Sequence, residues 1–543
     1  MSASHPRSPA ETSVVLGVAL VLAAWALLVA PVGEIPRGYS SWDPLHSGRR
    51  FAEQGFLASK LQPIWSPANH PAQYLTYTHY PPLPYWLAGA VESLIQGPSA
   101  RIEALLRIAL LVGLGALLCG YRFLRSLALS PAAALLACGA LVGSADWWNN
   151  ASGELSWVSW LSLFQLGGAA ALGSAFAHWE TRGRIGVLLA LLCTAAGALS
   201  AFEAWPWLPT ILAVLALAAA RGRRDRLRAL VLATLLAGGA SLGGAATRVA
   251  INWWHFGSLE RVVQDLEETY SARSIYAYAS LEIAENRANY MALPRQPAAS
   301  HWAWVREFFR TLPSRLGDFY LPEAEAVRWA FGAASVLALP GWLFARRRQL
   351  ECVAPWPGRP VWLIALALAG LPFALLCPAI AVQQGGLLMA FAPALLLAVA
   401  LVCEGLLAPL RAAIARLPGR LLAFVLAGAA AAWPIVRGPA PALAWPAPLA
   451  QCVAAMHALS QIDGVVFVDL DNVNPLVFLT PLGASVAFKP VEAQARYFKG
   501  VRPLRILRIA GQGRLSEREL AKLERVDVAG LPEGFELLVP RSR

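Results

Sequence analysis

The chain has 543 residues, of which 57% are hydrophobic and only 14% charged, and its formal net charge is +12. So few charges cannot cover a soluble protein of this length, which leaves a polytopic membrane protein. The basic excess does not point to nucleic acid, because many of the arginines sit in short loops between apolar runs rather than gathered in one polar domain.

Crossing the bilayer takes about 20 apolar residues for about 30 Å of hydrocarbon. About eleven stretches qualify, near 14–32, 104–121, 131–147, 155–177, 185–201, 205–220, 229–251, 326–345, 360–380, 386–409 and 420–437. The first, "VVLGVALVLAAWALLVAPV", is long for a signal core and has a barely basic amino flank, so it reads as an anchor.

After it comes a long polar interval, 33–103. Within it, "PLHSGRRFAEQG" reads as a helix, with Asp43 as its N-cap, Pro44 at its first position and Gly55 in the C′ position. Next, "YTHYPPLPYW" carries His79 and Tyr80 on a backbone stiffened by Pro81 and Pro82, followed by a short amphipathic stretch through Leu94.

The later loops alternate in charge. Arg122 and Arg125, then Arg182 and Arg184, then Arg221 to Arg228, Arg346 to Arg348 and Arg411 to Arg420 fall on one side; Asp146 and Glu154, Glu203, and the uncharged "AIAVQQG" fall on the other. Basic loops are retained in the cytoplasm, so the N-terminus is expected inside and the C-terminal part outside. A second long outside loop, 252–325, contains "LERVVQDLEETY" and "HWAWVREFFRTL", segments suited to lying along the bilayer surface. From 445 to 543 the pattern becomes that of a small extracytoplasmic α/β domain, with "GVVFVDLD", "ASVAF", "LRILRIAG" and "FELLVP" as strands and "LSERELAKLERV" as a helix. Asp469 and Asp471 in "DLD" read as turn residues after a strand. Most cysteines lie in apolar runs, and neither a disulfide framework nor a zinc pattern follows.

Several polar residues are candidates for chemistry, each beside a plainer role. Asp43 is a helix cap whose second oxygen is free to face a reaction space. Asp146, Glu154 and Glu203 are ordinary span-terminating carboxylates unless they converge with it on one side. Arg273 and Arg315 in the second loop offer the planar donor fork that suits phosphate; Lys60 and His70 are weaker phosphate contacts. The aromatics Tyr77, Tyr80, Tyr85 and Trp86 suit an interfacial belt.

In order, a first span followed by "SSWDPLHSGRRFAEQGF", then "THYPPLPYWLAG" before the next span, an acidic outside loop between the third and fourth spans, and a long loop after the seventh resemble the GT-C superfamily of membrane glycosyltransferases. Bacterial relatives of protein O-mannosyltransferases and lipid A aminoarabinose transferases are the nearest pattern, over residues 12–325 and more loosely to 437. The resemblance implies a GT-C-like transmembrane domain over 1–437 in a bacterial inner membrane. It implies sugar transfer, by inverting displacement, from a polyprenyl-phosphate donor to a glycan, lipid or protein acceptor on the outer face. Asp43 would be the base; His79, Tyr80, Arg273, Arg315, Lys60 and His70 would contact phosphate or substrate; Asp146, Glu154 and Glu203 would be acidic partners. A divalent cation, if used, would fall to Asp43, Asp146 and Glu154, and no other cofactor is implied. A transporter or a noncatalytic assembly protein are the competing classes. Against transport, the notable charges gather at span boundaries, and no inverted repeat with paired broken helices is evident.

Overall fold

In hydrocarbon every backbone polar group must be satisfied within its own segment, and the apolar stretches meet that demand as helices. The computed structural model describes residues 47–63 except 49 and 53, then 81–95, 98–142, 157–222, 224–271, 300–320, 358–383, 385–407, 447, 449–459, 465–469, 485–487, 505–511 and 515–541. Among them, six helices are long and apolar enough to cross a membrane: Glu103–Ser126, Val158–Ala177, Phe202–Arg221, Arg226–Phe256, Arg359–Leu376 and Leu388–Leu407. Two apolar helices, Pro131–Leu141 and Gly183–Ala198, are shorter. The spans expected near 14–32, 326–345 and 420–437 lie outside the described residues.

In chain order the bundle begins with α1 (Leu83–Leu94), α2 (Pro98–Ser126), α3 (Pro131–Val142), α4 (Trp157–Ala177) and α5 (Trp179–Ala198). A 3-10 turn, Phe202–Ala204, leads to α6 (Trp207–Gly222) and α7 (Arg224–Phe256). Helix α4 packs between α2 and α5, while α7 lies along α5 and α6. These contacts are close because small residues line them. A Cβ on Gly186 of α5 would sit 2.7 Å from the Ala171 carbonyl of α4, and one on Gly244 of α7 would sit 2.6 Å from Ala198 Cβ.

Two spans expected as single helices are broken. Residues 359–383 form α10 (Arg359–Ala369), α11 (Leu371–Leu376) and α12 (Pro378–Gln383), and a 3-10 stretch, Gly385–Phe391, precedes α13 (Ala392–Leu407). Pro372 and Pro378 each lack the N–H that would continue the preceding helix, and a proline is tolerated in a first turn instead. Side-chain latches hold the connection between α2 and α3. Arg359 donates to the Leu127 carbonyl at 3.0 Å and the Ala128 carbonyl at 2.8 Å, while Glu404 of α13 accepts from the Ser130 N–H at 3.1 Å.

The second long loop contributes α8 (Leu259–Ser271) and α9 (His301–Tyr320). Helix α8 exposes an apolar stripe beside a charged one that carries Glu260, Arg261 and Glu267. Leu259, Val263, Leu266 and Tyr270 form an exposed stripe, whereas Val262 and Asp265 are buried. That arrangement fits a helix whose outer face meets acyl chains.

The C-terminal part contains α14 (Leu449–Leu459), β1 (Val465–Asp469), β2 (Ser485–Ala487), β3 (Arg505–Ile509), α15 (Glu517–Leu520), β4 (Leu523–Val526) and β5 (Phe535–Pro540), with sheet order β2-β1-β3-β5-β4. Strand β1 is parallel to both β2 and β3, and β5 is antiparallel to β3 and β4. The helix expected over "LSERELAKLERV" is only four residues long. Its remainder, Leu523–Val526, is drawn into the sheet edge by pairing with Leu537 to Pro540. Ladder bonds to β5 outweigh the local helical propensity of "LERV" there. Asp469 is buried and accepts the Leu515 N–H at 3.2 Å, so it closes a loop.

Candidate functional site

One of the polar candidates, Lys60, lies on a turn at residues 55–63. Helical residues between 47 and 54 end at Gly55, which takes φ +84° and donates its N–H to Phe51 O at 2.9 Å. The next turn closes in a Schellman pattern: Leu61 N–H donates to Phe56 O at 2.8 Å and Lys60 N–H to Leu57 O at 2.9 Å. Lys60 therefore fills the left-handed position that glycine usually takes, at φ 52°, and Leu61 follows at φ 58°. Each non-glycine residue held there costs roughly 1–2 kcal/mol. Around this turn Phe51 stacks on Phe56 at 4.8 Å between ring centroids, and Gly89 of α1 lies so close that a Cβ would approach Phe51 Cβ to 2.7 Å.

The end of α7 completes the site. With 33 residues this helix is about 50 Å long, so it overshoots about 30 Å of hydrocarbon by several turns. Those last turns carry Arg248, Asn252 and His255, and the 55–63 turn packs on them. Lys60 Nζ donates to the His255 carbonyl at 3.3 Å. Gln62, fully buried, accepts from Arg248 Nη1 at 3.2 Å and donates through Nε2 to Asn252 Oδ1 at 2.9 Å. Asn252 Nδ2 then donates to Asp265 Oδ2 of α8 at 3.2 Å.

This chain has one possible polarity. Arginine only donates and an ionised aspartate only accepts, so both intervening amides must face the same way. Two amides, Gln62 and Asn252, thus stand between Arg248 and Asp265 along this line of hydrogen bonds. Two further bonds tie neighbouring segments to the same turn: Trp86 Nε1 of α1 donates to Leu61 O at 3.0 Å, and Arg50 Nη1 reaches Gln62 O at 3.5 Å.

Three residues expected from the sequence fall on described positions. Lys60 is exposed at the turn just described. Glu203, expected as a boundary carboxylate, is 1% exposed within the 3-10 turn. That turn is held between Trp205 Nε1, which donates to Ala198 O at 2.9 Å, and Ser241 Oγ, which donates to Trp205 O at 2.6 Å. Arg315 of α9 donates to the Ala381 carbonyl of α12, and burial lowers its pKa from the usual guanidinium value. It docks one helix on another. Asp43, His70, His79, Tyr80, Asp146, Glu154 and Arg273 lie outside the described residues. Among the described residues no group of three His, Cys, Asp or Glu side chains gathers as a metal site would require.

Sequence reading missed Gln62, Arg248, Asn252 and Asp265. Only one local signal marked them: Arg248 and Asn252 stand four apart in the otherwise apolar "ATRVAINWW", on one helical face.

No family model and no curated protein matches the sequence. Solved structures do match. The crystal structure of ArnT from Cupriavidus metallidurans bound to undecaprenyl phosphate is 12% identical with a TM-score of 0.52, and the alignment covers 98% of each chain. The archaeal oligosaccharyltransferase AglB from Archaeoglobus fulgidus, in complex with an inhibitory peptide and a dolichol-phosphate, is 14% identical with a TM-score of 0.51, over 92% of this chain and 69% of that one. At such identities the likeness is one of fold alone, shared with these two solved structures.

Proposed function

We propose, from a GT-C fold shared end to end with a protein solved bound to undecaprenyl phosphate, that this chain transfers a sugar from a polyprenyl-phosphate carrier to an acceptor on the extracytoplasmic face of a bacterial inner membrane. The observation that supports it best is the junction at residues 55–63. Segments next to four candidates meet there: residues 47–54 follow Asp43, α1 follows His79 and Tyr80, and α8 ends two residues before Arg273. A lipid tail can enter between spans while its phosphate stays at the aqueous boundary beside this junction.

In this reading Asp43 takes the proton of an acceptor hydroxyl as its oxygen bonds to the anomeric carbon. The bond from that carbon to the phosphate oxygen breaks in the same displacement, with inversion. The negative charge left on the carrier phosphate is stabilised by Lys60, His70, His79 and Arg273, with Tyr80 as a donor and Arg315 as a further cation. Asp146 and Glu154 orient the sugar; a divalent cation, where required, is held by Asp43, Asp146 and Glu154. The acceptor is a glycan, lipid or protein, and residues 445–543 form a small outer α/β domain above the spans.

The test is Asp43→Asn at equal membrane abundance, assayed by mass spectrometry of envelope glycans and lipids from deletion and complemented cells. Loss of a sugar increment in the deletion, restored by wild type and not by the variant, is the expected result. Undiminished restoration by Asp43→Asn removes that carboxylate from the reaction.

A further inference from the structure

We infer that Gln62 is the positioning residue of the donor site: with Arg248, Asn252 and Asp265 it forms a buried clamp that sets where the Lys60 turn stands relative to the two long loops. The inference rests on the proposed lipid-phosphate donor and adds residues that the proposal does not use. Gln62 is two positions from Lys60 and joins side chains 186 and 190 residues away in sequence. Its backbone neighbour Leu61 holds α1 through Trp86. One amide thus sits where the segments next to Asp43, His79 and Arg273 converge. A small rotation there shifts the Lys60 turn against α1 and α7.

Two features argue that the clamp serves more than stability. Lys60 occupies a left-handed position where glycine would be cheaper, so its ammonium is retained against strain. The clamp is built from polar groups 0% to 6% exposed, where apolar packing would hold the loops with less desolvation, whereas oriented hydrogen bonds hold them in one register.

The polarity of the chain supplies the test. Asn252→Asp alone sets two carboxylates against each other and removes the donor to Asp265. Asn252→Asp combined with Asp265→Asn restores all three hydrogen bonds and the net charge, since the carboxylate then at position 252 accepts from both Gln62 and the amide then at position 265. Full-length protein in nanodiscs is assayed for undecaprenyl phosphate binding, with undecaprenol as the phosphate-free control, and for hydrogen exchange of the peptide spanning 56–62. Expected are a roughly tenfold weaker affinity and faster exchange at 56–62 in the single variant, as one buried unsatisfied polar contact implies. The double variant recovers to within about threefold of wild type, a factor smaller than one lost hydrogen bond. Gln62→Leu, close in volume, reproduces the single-variant loss without adding charge.

Unchanged affinity and exchange in Asn252→Asp, or a double variant no better than the single one, overturns the clamp. Wild-type protein that does not distinguish undecaprenyl phosphate from undecaprenol overturns the donor reading instead, and the exchange measurement still decides whether Gln62 holds the turn.

Discussion

The N–H of Leu83 donates to the carbonyl of Leu199 at 2.9 Å. Pro81 and Pro82 have no N–H, so Leu83 is the first backbone donor after His79 and Tyr80, and it is spent on the loop that carries Glu203. The stretch following "THY" is thereby tied to the short loop between α5 and α6, 116 residues later in the chain. The start of α1 and the loop that carries a buried carboxylate are thus joined through backbone, and a shift in one is felt by the other.

Lys60→Gly separates folding from function. Relief of the left-handed strain is worth about 1 kcal/mol, which offsets the loss of an exposed bond to His255 O. The thermal midpoint should stay level or rise, while undecaprenyl phosphate binding weakens several-fold. Lys60→Ala, which keeps the strain, should be the less stable of the two by denaturation.

Gly89→Ala is expected to destabilise the protein by about 1–3 kcal/mol through overpacking. The added methyl would lie 2.7 Å from Phe51 Cβ, an atom fixed by its own backbone. Chemical denaturation in detergent reads the cost.

Arg315 tests whether a helix tie also serves phosphate. Arg315→Ala should lose about 1 kcal/mol with its carbonyl partner, and hydrogen exchange over 378–383 should quicken as α9 loosens from α12. Arg315→Lys keeps the charge, so sugar transfer should exceed that of the alanine variant. Equal transfer by the two would leave Arg315 a tie alone.

Helix α8 makes a prediction about the bilayer. A spin label at Val263→Cys, on the exposed apolar stripe, should be more accessible to oxygen than to a water-soluble nickel chelate. A label at Glu260, exposed beside that stripe, should favour the chelate. The reverse order would place α8 away from lipid.

The helical bundle was legible because hydrocarbon imposes a local rule: a long apolar run must satisfy its own backbone, whatever its neighbours. The C-cap at Gly55 and the helix through Leu94 were readable for the same reason, since a left-handed glycine and an apolar face act within a few residues. Local pattern failed where a partner decided the outcome. Leu523–Val526 became a strand because β5 lay beside it, and residues 359–383 bent where Pro372 and Pro378 broke the backbone ladder that mean hydropathy does not sense.

Asp43, His79 and Arg273 drew attention from the sequence as chemistry-bearing types near span ends, whereas Gln62, Asn252, Arg248 and Asp265 did not. A neutral amide has no local signature; its worth arises only when packing brings a donor and an acceptor from the chain's far segments to either side of it. Sequence alone determined which long stretches are apolar and which polar residues stand beside them, because both follow from solvation of short segments. Tertiary structure alone decided that Gln62 joins Arg248 to Asp265, because that depends on how long helices pack and where their overhanging turns meet.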